Sequence, residues 1–401
     1  MAPDGQLPYQ SPAATVAGGR DLRLDFFRGI SLLFIFIDHI PDNTISYLTL
    51  ANFVFNDAAE IFVFISGYTA AIVFGGMAAR SGALYASLQV LRRCWTLYVA
   101  HIFLFVIFTA QVAYTAEKFE NPMFIDEMKV AGFLLEPHVA ILKALTLQFQ
   151  PEFMGILPLY IVLLLGYSVL LPVLPRYPLT ILGASVLLYV ATPLLGINFA
   201  AYPGGRWFHN PFAWQVLFVL GAIAATFART DRFDFSQRKP WFPIAVGFLA
   251  ASVVVKLALT LDGRVDVLPA NVVAGVWLFL DKTNLGPLRL LNFLALVVLT
   301  VRLVPQDSAF LRSALARPIV RCGQHSLYIF CLGILLSYLG HLVLVEISHA
   351  IPVELAVSAA GCAIMIVVAE FLHWSKSQAR NVEKRPPPLM GGTVAGQGGE
   401  L

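Results

Sequence analysis

Ten apolar runs, each near the ~20 residues that an α-helix needs to cross a bilayer, fall at about 24–40, 53–77, 91–114, 153–174, 178–197, 211–228, 241–261, 287–304, 319–344 and 351–373. A backbone in hydrocarbon must satisfy its own hydrogen bonds, so runs of this length fold as helices. Composition agrees: 58% of the 401 residues are hydrophobic and 13% are charged, against about 25% charged in a soluble domain. The expectation is an all-α, polytopic integral membrane protein of about ten transmembrane helices. It forms one membrane domain over residues 20–375, with a segment 1–19 before it and a tail, 376–401, after it. The Pro- and Gly-rich end of that tail, "KRPPPLMGGTVAGQGGEL", has the composition of disordered chain. Residues 1–19 lack the basic start and apolar core of a cleavable signal, so the first run is expected to remain as an anchor.

Basic loops stay in the cytoplasm. With the N-terminus inside, 19 of the 27 lysines and arginines fall in cytoplasmic segments. Seven fall outside, Lys282 and Arg289 among them, and Lys256 falls inside the seventh run. Both termini are therefore placed in the cytoplasm. Two further apolar stretches are too short to cross. "LEPHVAILKALTLQF", in the long outer connection 115–152, reads as an interfacial helix. "LPANVVAGVWLFLD", within 267–281, reads as re-entrant or interfacial, with an eleventh span as the alternative. Cys94, Cys322, Cys331 and Cys362 show no CxxC spacing and read as small apolar residues, and no metal motif, phosphate loop or nucleic-acid stripe is present.

The first run carries more charge than an anchor needs. "RLDFFRGISLLFIFIDHI", residues 23–40, holds Asp25, Arg28, Asp38 and His39, although a charged residue at mid-helix costs about 2.5–3.5 kcal/mol on insertion scales. Arg28 and His39 are eleven residues apart, hence within ~20° of one helical face and roughly 16 Å apart along the axis. Asp25 shares that face and Asp38 does not. Arg28 then stands at the inner mouth and His39 in the outer half. On the second run, "NDAAEIFVFISGY", Asp57 and Glu60 are three apart and share a side, with Glu60 at a depth comparable with His39. Two readings are open for these groups: they pair with one another to knit helices together, or they line a site.

Arg28 and His39 reproduce the Arg-x10-His signature of the acyltransferase-3 superfamily of membrane O-acyltransferases, and "EIFVFISGY" resembles its second-helix motif. Longer strings, "ILPLYIVLLL" (156–165), "RWFHNPFAWQVLFVLG" (206–221), "LGPLRLLNFLAL" (285–296) and "CGQHSLYIFCLG" (322–333), resemble the OpgC-type osmoregulated periplasmic glucan succinyltransferases across about 20–375. The resemblance implies a multi-pass protein of the bacterial inner membrane that moves a succinyl group from cytoplasmic succinyl-CoA to periplasmic glucan hydroxyls. It implies His39 as general base, with Glu60 or Asp38 steadying the imidazolium and Arg28 facing the donor. An acyl-His39 intermediate is the alternative course. Arg92 and Arg93 stand where the superfamily has a basic pair suited to CoA phosphates, and Arg321 and His325 join them as donor-side candidates. Each of these four has an ordinary reading too, as positive-inside anchoring or helix packing.

The acceptor side calls for aromatic faces and amides. "GGRWFHNPFAW" supplies Trp207, His209, Asn210 and Trp214 at the outer surface, where an interfacial aromatic belt is the competing reading. Three positions depart from the family pattern. Cys331 or Leu332 stands where the superfamily has a histidine, His209 where the narrower family has an aromatic, and Gly155 where it has an Asp. The runner-up activities are an O-acetyltransferase of another envelope polysaccharide, using acetyl-CoA, and a proton-coupled carrier. A cation reserved for the free carboxylate of the acyl group would favour succinyl over acetyl.

Overall fold

The computed structural model describes residues 20–228, 240–265 and 269–383. The expectations for 1–19 and for the end of the tail lie outside the described residues. Twelve helices frame the site: α1 (Leu22–Asp38), α2 (Ala58–Ser81), α3 (Ala83–Lys118), α4 (Ile156–Leu170), α5 (Pro178–Leu195), α6 (Pro211–Ala228), α7 (Trp241–Val265), α8 (Ala270–Phe279), α9 (Pro287–Leu303), α10 (Ala316–Gln324), α11 (Ser326–Glu346) and α12 (Ile351–Glu383).

Among the described residues, seven helices are long and apolar enough to cross a membrane: α2, α3, α5, α6, α7, α11 and α12. The other three expected crossings are the shorter helices α1, α4 and α9, of 17, 15 and 17 residues. The run 319–344 is not one helix. It breaks at His325, whose φ of −112° and ψ of 29° leave the helical region, between α10, which packs along α1 and α12, and α11, which packs against α1, α12 and α3. The stretch within 267–281 forms the ten-residue α8. Its rise of ~15 Å is half the ~30 Å hydrocarbon core, which fits the shorter reading rather than an eleventh span. The outer connection carries a nine-residue helix, Pro137–Leu145, with Ala140 and Ala144 buried and Ile141, Leu142 and Leu145 exposed. α12 continues to Glu383, into the segment expected to belong to the tail.

Close helix crossings set the frame. A Cβ on Gly29 would overlap the Ile319 carbonyl, and one on Gly323 would overlap that of Asp25, so α1 and α10 meet backbone to backbone. Gly67 and Gly221 stand in the same relation to Phe218 and Phe64 where α2 crosses α6. Small residues at such points let helices approach where hydrocarbon supplies no hydrophobic drive between them. Elsewhere the faces are apolar and outward: Leu187, Leu194 and Leu195 of α5 are exposed, as lipid-facing side chains are.

Candidate active site

The end of α1 that carries His39 meets four other segments: the start of α2, the loop 147–155, the loop before α6, and the loop 280–286. The start of α2 is fixed by a capping box already written in "NDAAE". Asp57 Oδ1 accepts from the Ala59 N–H at 2.8 Å, and Glu60 Oε2 accepts from the Asp57 N–H at 3.0 Å, a reciprocal pairing that satisfies orphan donors at the helix start. Both carboxylates then face cations from the loop 280–286 and α9. Lys282 Nζ lies 2.6 Å from Asp57 Oδ2, Arg289 Nη2 lies 3.2 Å from the same oxygen, and Arg289 Nε donates to Glu60 Oε1 at 2.7 Å.

His39 itself caps the end of α1. Its ring stacks on Phe153 at 4.3 Å, 22° from parallel, and its Nδ1 is buried with no hydrogen-bond partner among the described residues. Phe153 holds that position at a φ of 67°, a left-handed conformation that costs a side-chain-bearing residue roughly 1–2 kcal/mol. Its neighbours hold it there: the Glu152 N–H donates to the Met128 carbonyl at 3.1 Å, and the Glu152 carboxylate pairs with Lys129 at 2.5 Å. The charges that reach His39 are those of Lys282 and Asp57. Neither expected carboxylate sits on the imidazole. Asp38 accepts from the Thr49 hydroxyl at 2.6 Å, and Glu60 is committed to Arg289. The expectation that one of them steadies His39 is corrected accordingly: each is held by another partner.

His209 is brought to the same place. Both its ring nitrogens are buried and unpartnered, and its ring meets Trp214 edge-on at 4.9 Å. Burial, with Lys282 next, pushes its imidazole down to about 3. A Cβ at Gly155 would come within 3.3 Å of His209 Nδ1, so two of the three departures noted in the sequence face each other. Trp214 was expected at the outer surface but is fully buried, with its indole N–H shared between the Lys282 and Thr283 carbonyls at 3.0 and 3.2 Å. Asn210 is likewise internal. Its side chain accepts from the Phe212 N–H at the head of α6 and donates to the Ile197 carbonyl and to Asn284. Both hold the loops that shape the site. Trp207 is buried too and, unlike them, keeps its indole N–H unpartnered among the described residues.

At the other end of α1, Arg28 donates to the Thr69 hydroxyl at 2.7 Å and lies 4.0 Å from Asp25, which Arg20 grips at 2.5 and 2.9 Å. Arg93 is close enough for its charge to act on Arg28, whereas Arg92 is exposed on α3. Arg321 is ion-paired with Glu370, and His325 lies edge-on to His373 at 6.3 Å. Between Arg28 and His39 the same face of α1 carries Leu32 and Ile35, both buried in the main apolar core.

Sequence reasoning counted Lys282 and Arg289 only as outer basic residues, and gave Phe153 no role. A signal for Arg289 existed, since it lies inside the string "LGPLRLLNFLAL"; Phe153 and Lys282 had none. A family model described as OpgC protein matches residues 20–377. No curated protein and no solved structure matches the chain.

Proposed function

The chain belongs to the OpgC protein family, and from that premise we propose that it is a membrane O-acyltransferase carrying a succinyl group from succinyl-CoA, bound at the Arg28 end, to hydroxyls of periplasmic glucans at the His39 end. The observation that carries this reading is His39 itself: a buried ring nitrogen without a partner, on a ring held by Phe153, beside a charged cluster. In this reading neutral His39 takes the proton of a sugar hydroxyl as that oxygen attacks the thioester carbonyl. The C–O bond forms, the C–S bond breaks, and the proton passes from the imidazolium to the departing CoA thiolate. General-base help of this kind is worth about 10²–10⁴-fold in rate.

On the donor side, Arg28 and Arg93 form the cationic pair for a phosphorylated carrier, with Arg92, Arg321 and His325 as outlying members of that end. The orientation that puts this end in the cytoplasm follows from the distribution of basic residues. What supports succinyl over acetyl is the resemblance of the chain to OpgC-type succinyltransferases. The cations in contact with the cluster at the His39 end, Lys282 and Arg289, are paired with Asp57 and Glu60.

The test is transfer by purified protein from isotope-labelled succinyl-CoA to glucan. We expect His39→Ala to abolish label in the glucan while the protein still inserts and accumulates. Label retained at the wild-type rate would remove His39 from the mechanism, and CoA-independent movement of a solute through proteoliposomes would favour the carrier reading.

A further inference from the structure

Helix α5 lies at the edge of the bundle. It packs along α6, and Leu187, Leu194 and Leu195 face outward, exposed as lipid-facing side chains are. Its 18 residues rise ~27 Å, close to the ~30 Å of a hydrocarbon core, so its last turn lies at the level of lipid headgroups. At that turn a cavity of about 440 Å³ opens between the end of α5, the loop before α6 and the loop 280–286, with Pro193, Gly196, Arg206, Phe208, Thr283 and Lys129 in its lining. Leu194 and Leu195 stand in the chain between two of those residues. The cavity and the lipid-facing surface of α5 are therefore contiguous.

The wall is cationic. Arg206 and Lys129 line it, and among the described residues no Asp or Glu does. Lys129 is paired with Glu152 at 2.5 Å. Arg206, an exposed residue, donates to the Gly196 carbonyl at the end of α5 and has no carboxylate partner among the described residues. A guanidinium carries five N–H donors, so this capping bond leaves most of the fork unused. Asp281, in the loop beyond, is held by its own neighbours: it accepts from the Thr283 N–H at 3.0 Å and from the backbone and side chain of Asn284 at 3.1 and 2.7 Å. The backbone fixes where Arg206 stands. On either side of it the Ala201 N–H donates to the Gly205 carbonyl at 3.1 Å and the Trp207 N–H to the Phe199 carbonyl at 3.0 Å, closing a short hairpin.

Such a wall suits an anion, and its surroundings suit hydrocarbon chains. The planar fork of an arginine matches phosphate oxygens two at a time. A soluble anion would use the fork alone, whereas a glycerophospholipid uses the fork and the leucines beside it. We propose that this cavity holds the phosphate of an anionic phospholipid from the leaflet at the His39 end, with its acyl chains along the exposed leucines of α5. Phe208, Asn210 and Thr283 line the cavity, and His209 and Lys282 are their immediate neighbours in the chain, so the lipid braces the loops of the candidate site without entering it. The inference goes beyond the acyl-transfer reading and stands or falls without it.

The experiment titrates the full-length protein with phosphatidylglycerol and with phosphatidylcholine of the same acyl chains, and resolves bound lipid by native mass spectrometry. The wild type binds one phosphatidylglycerol about tenfold more tightly than phosphatidylcholine, whose choline offsets the phosphate charge, and Arg206→Gln loses that preference, as one charge-assisted pair predicts. Arg206→Lys keeps part of it. Lys118→Gln makes the same change of charge at an exposed position ending α3 and leaves the preference intact. Equal losses in Lys118→Gln and Arg206→Gln would reveal a diffuse attraction to basic side chains and overturn the site. A wild type that holds both lipids equally would do the same, and it decides alone should Arg206→Gln fail to accumulate. Glycerol 3-phosphate identifies the source of the phosphate. It binds far more weakly than the lipid because it has no chains to bury; a soluble phosphate ester that binds as tightly would overturn the lipid assignment.

Discussion

His209 occupies a loop position with both ring nitrogens buried, and its pKa is pushed down to about 3 by burial. An unfolded chain takes up that proton near pH 6.5. Below that value the unfolded state binds more protons than the folded one, so stability rises with pH across the window between about 3 and 6.5. We expect the wild-type melting temperature to fall from pH 7 to pH 5, and that of His209→Phe to fall less over the same interval; equal slopes would show that His209 contributes nothing to acid sensitivity. At this scale the sequence was legible where partners are local. The capping box of Asp57 and Glu60 lies within one turn of chain, whereas Arg289 reaches Glu60 across more than two hundred residues. Nothing in local spacing announces such a pair.

Helix crossings are the element-scale counterpart. Gly29 against α10 and Gly67 against α6 leave no room for a side chain, while a Cβ at Gly183 on α5 meets open space. We expect Gly29→Val and Gly67→Val to prevent accumulation in the membrane and Gly183→Val to be tolerated; equal accumulation of all three would contradict the close packing. The apolar runs gave the existence and order of the helices, because hydrophobic length is a property of the run itself. They missed the break at His325, since the short segment 319–324 runs directly into the long apolar α11 and a run is read by its length. They also gave Trp214 and Asn210 to the surface. A tryptophan beside a span end fits an interfacial belt, and only the loop 280–286, folded over it, makes it internal.

For the whole molecule, the account joins two ends of one bundle. Arg28 and His39 share a face of α1 roughly 16 Å apart, and Leu32 and Ile35 fill the interval, so an acyl-bearing arm reaches His39 only by displacing them or threading beside them. Under the proposed function transfer is then vectorial, with the donor entering from the Arg28 end and the acceptor from the other. The measurement that tests this most directly uses proteoliposomes with protein in one orientation, labelled succinyl-CoA on one side and glucan on the opposite side. The account predicts label in the glucan only when succinyl-CoA is on the Arg28 side and glucan on the His39 side. Label appearing when both are confined to the His39 side, or equally in either arrangement, would contradict it.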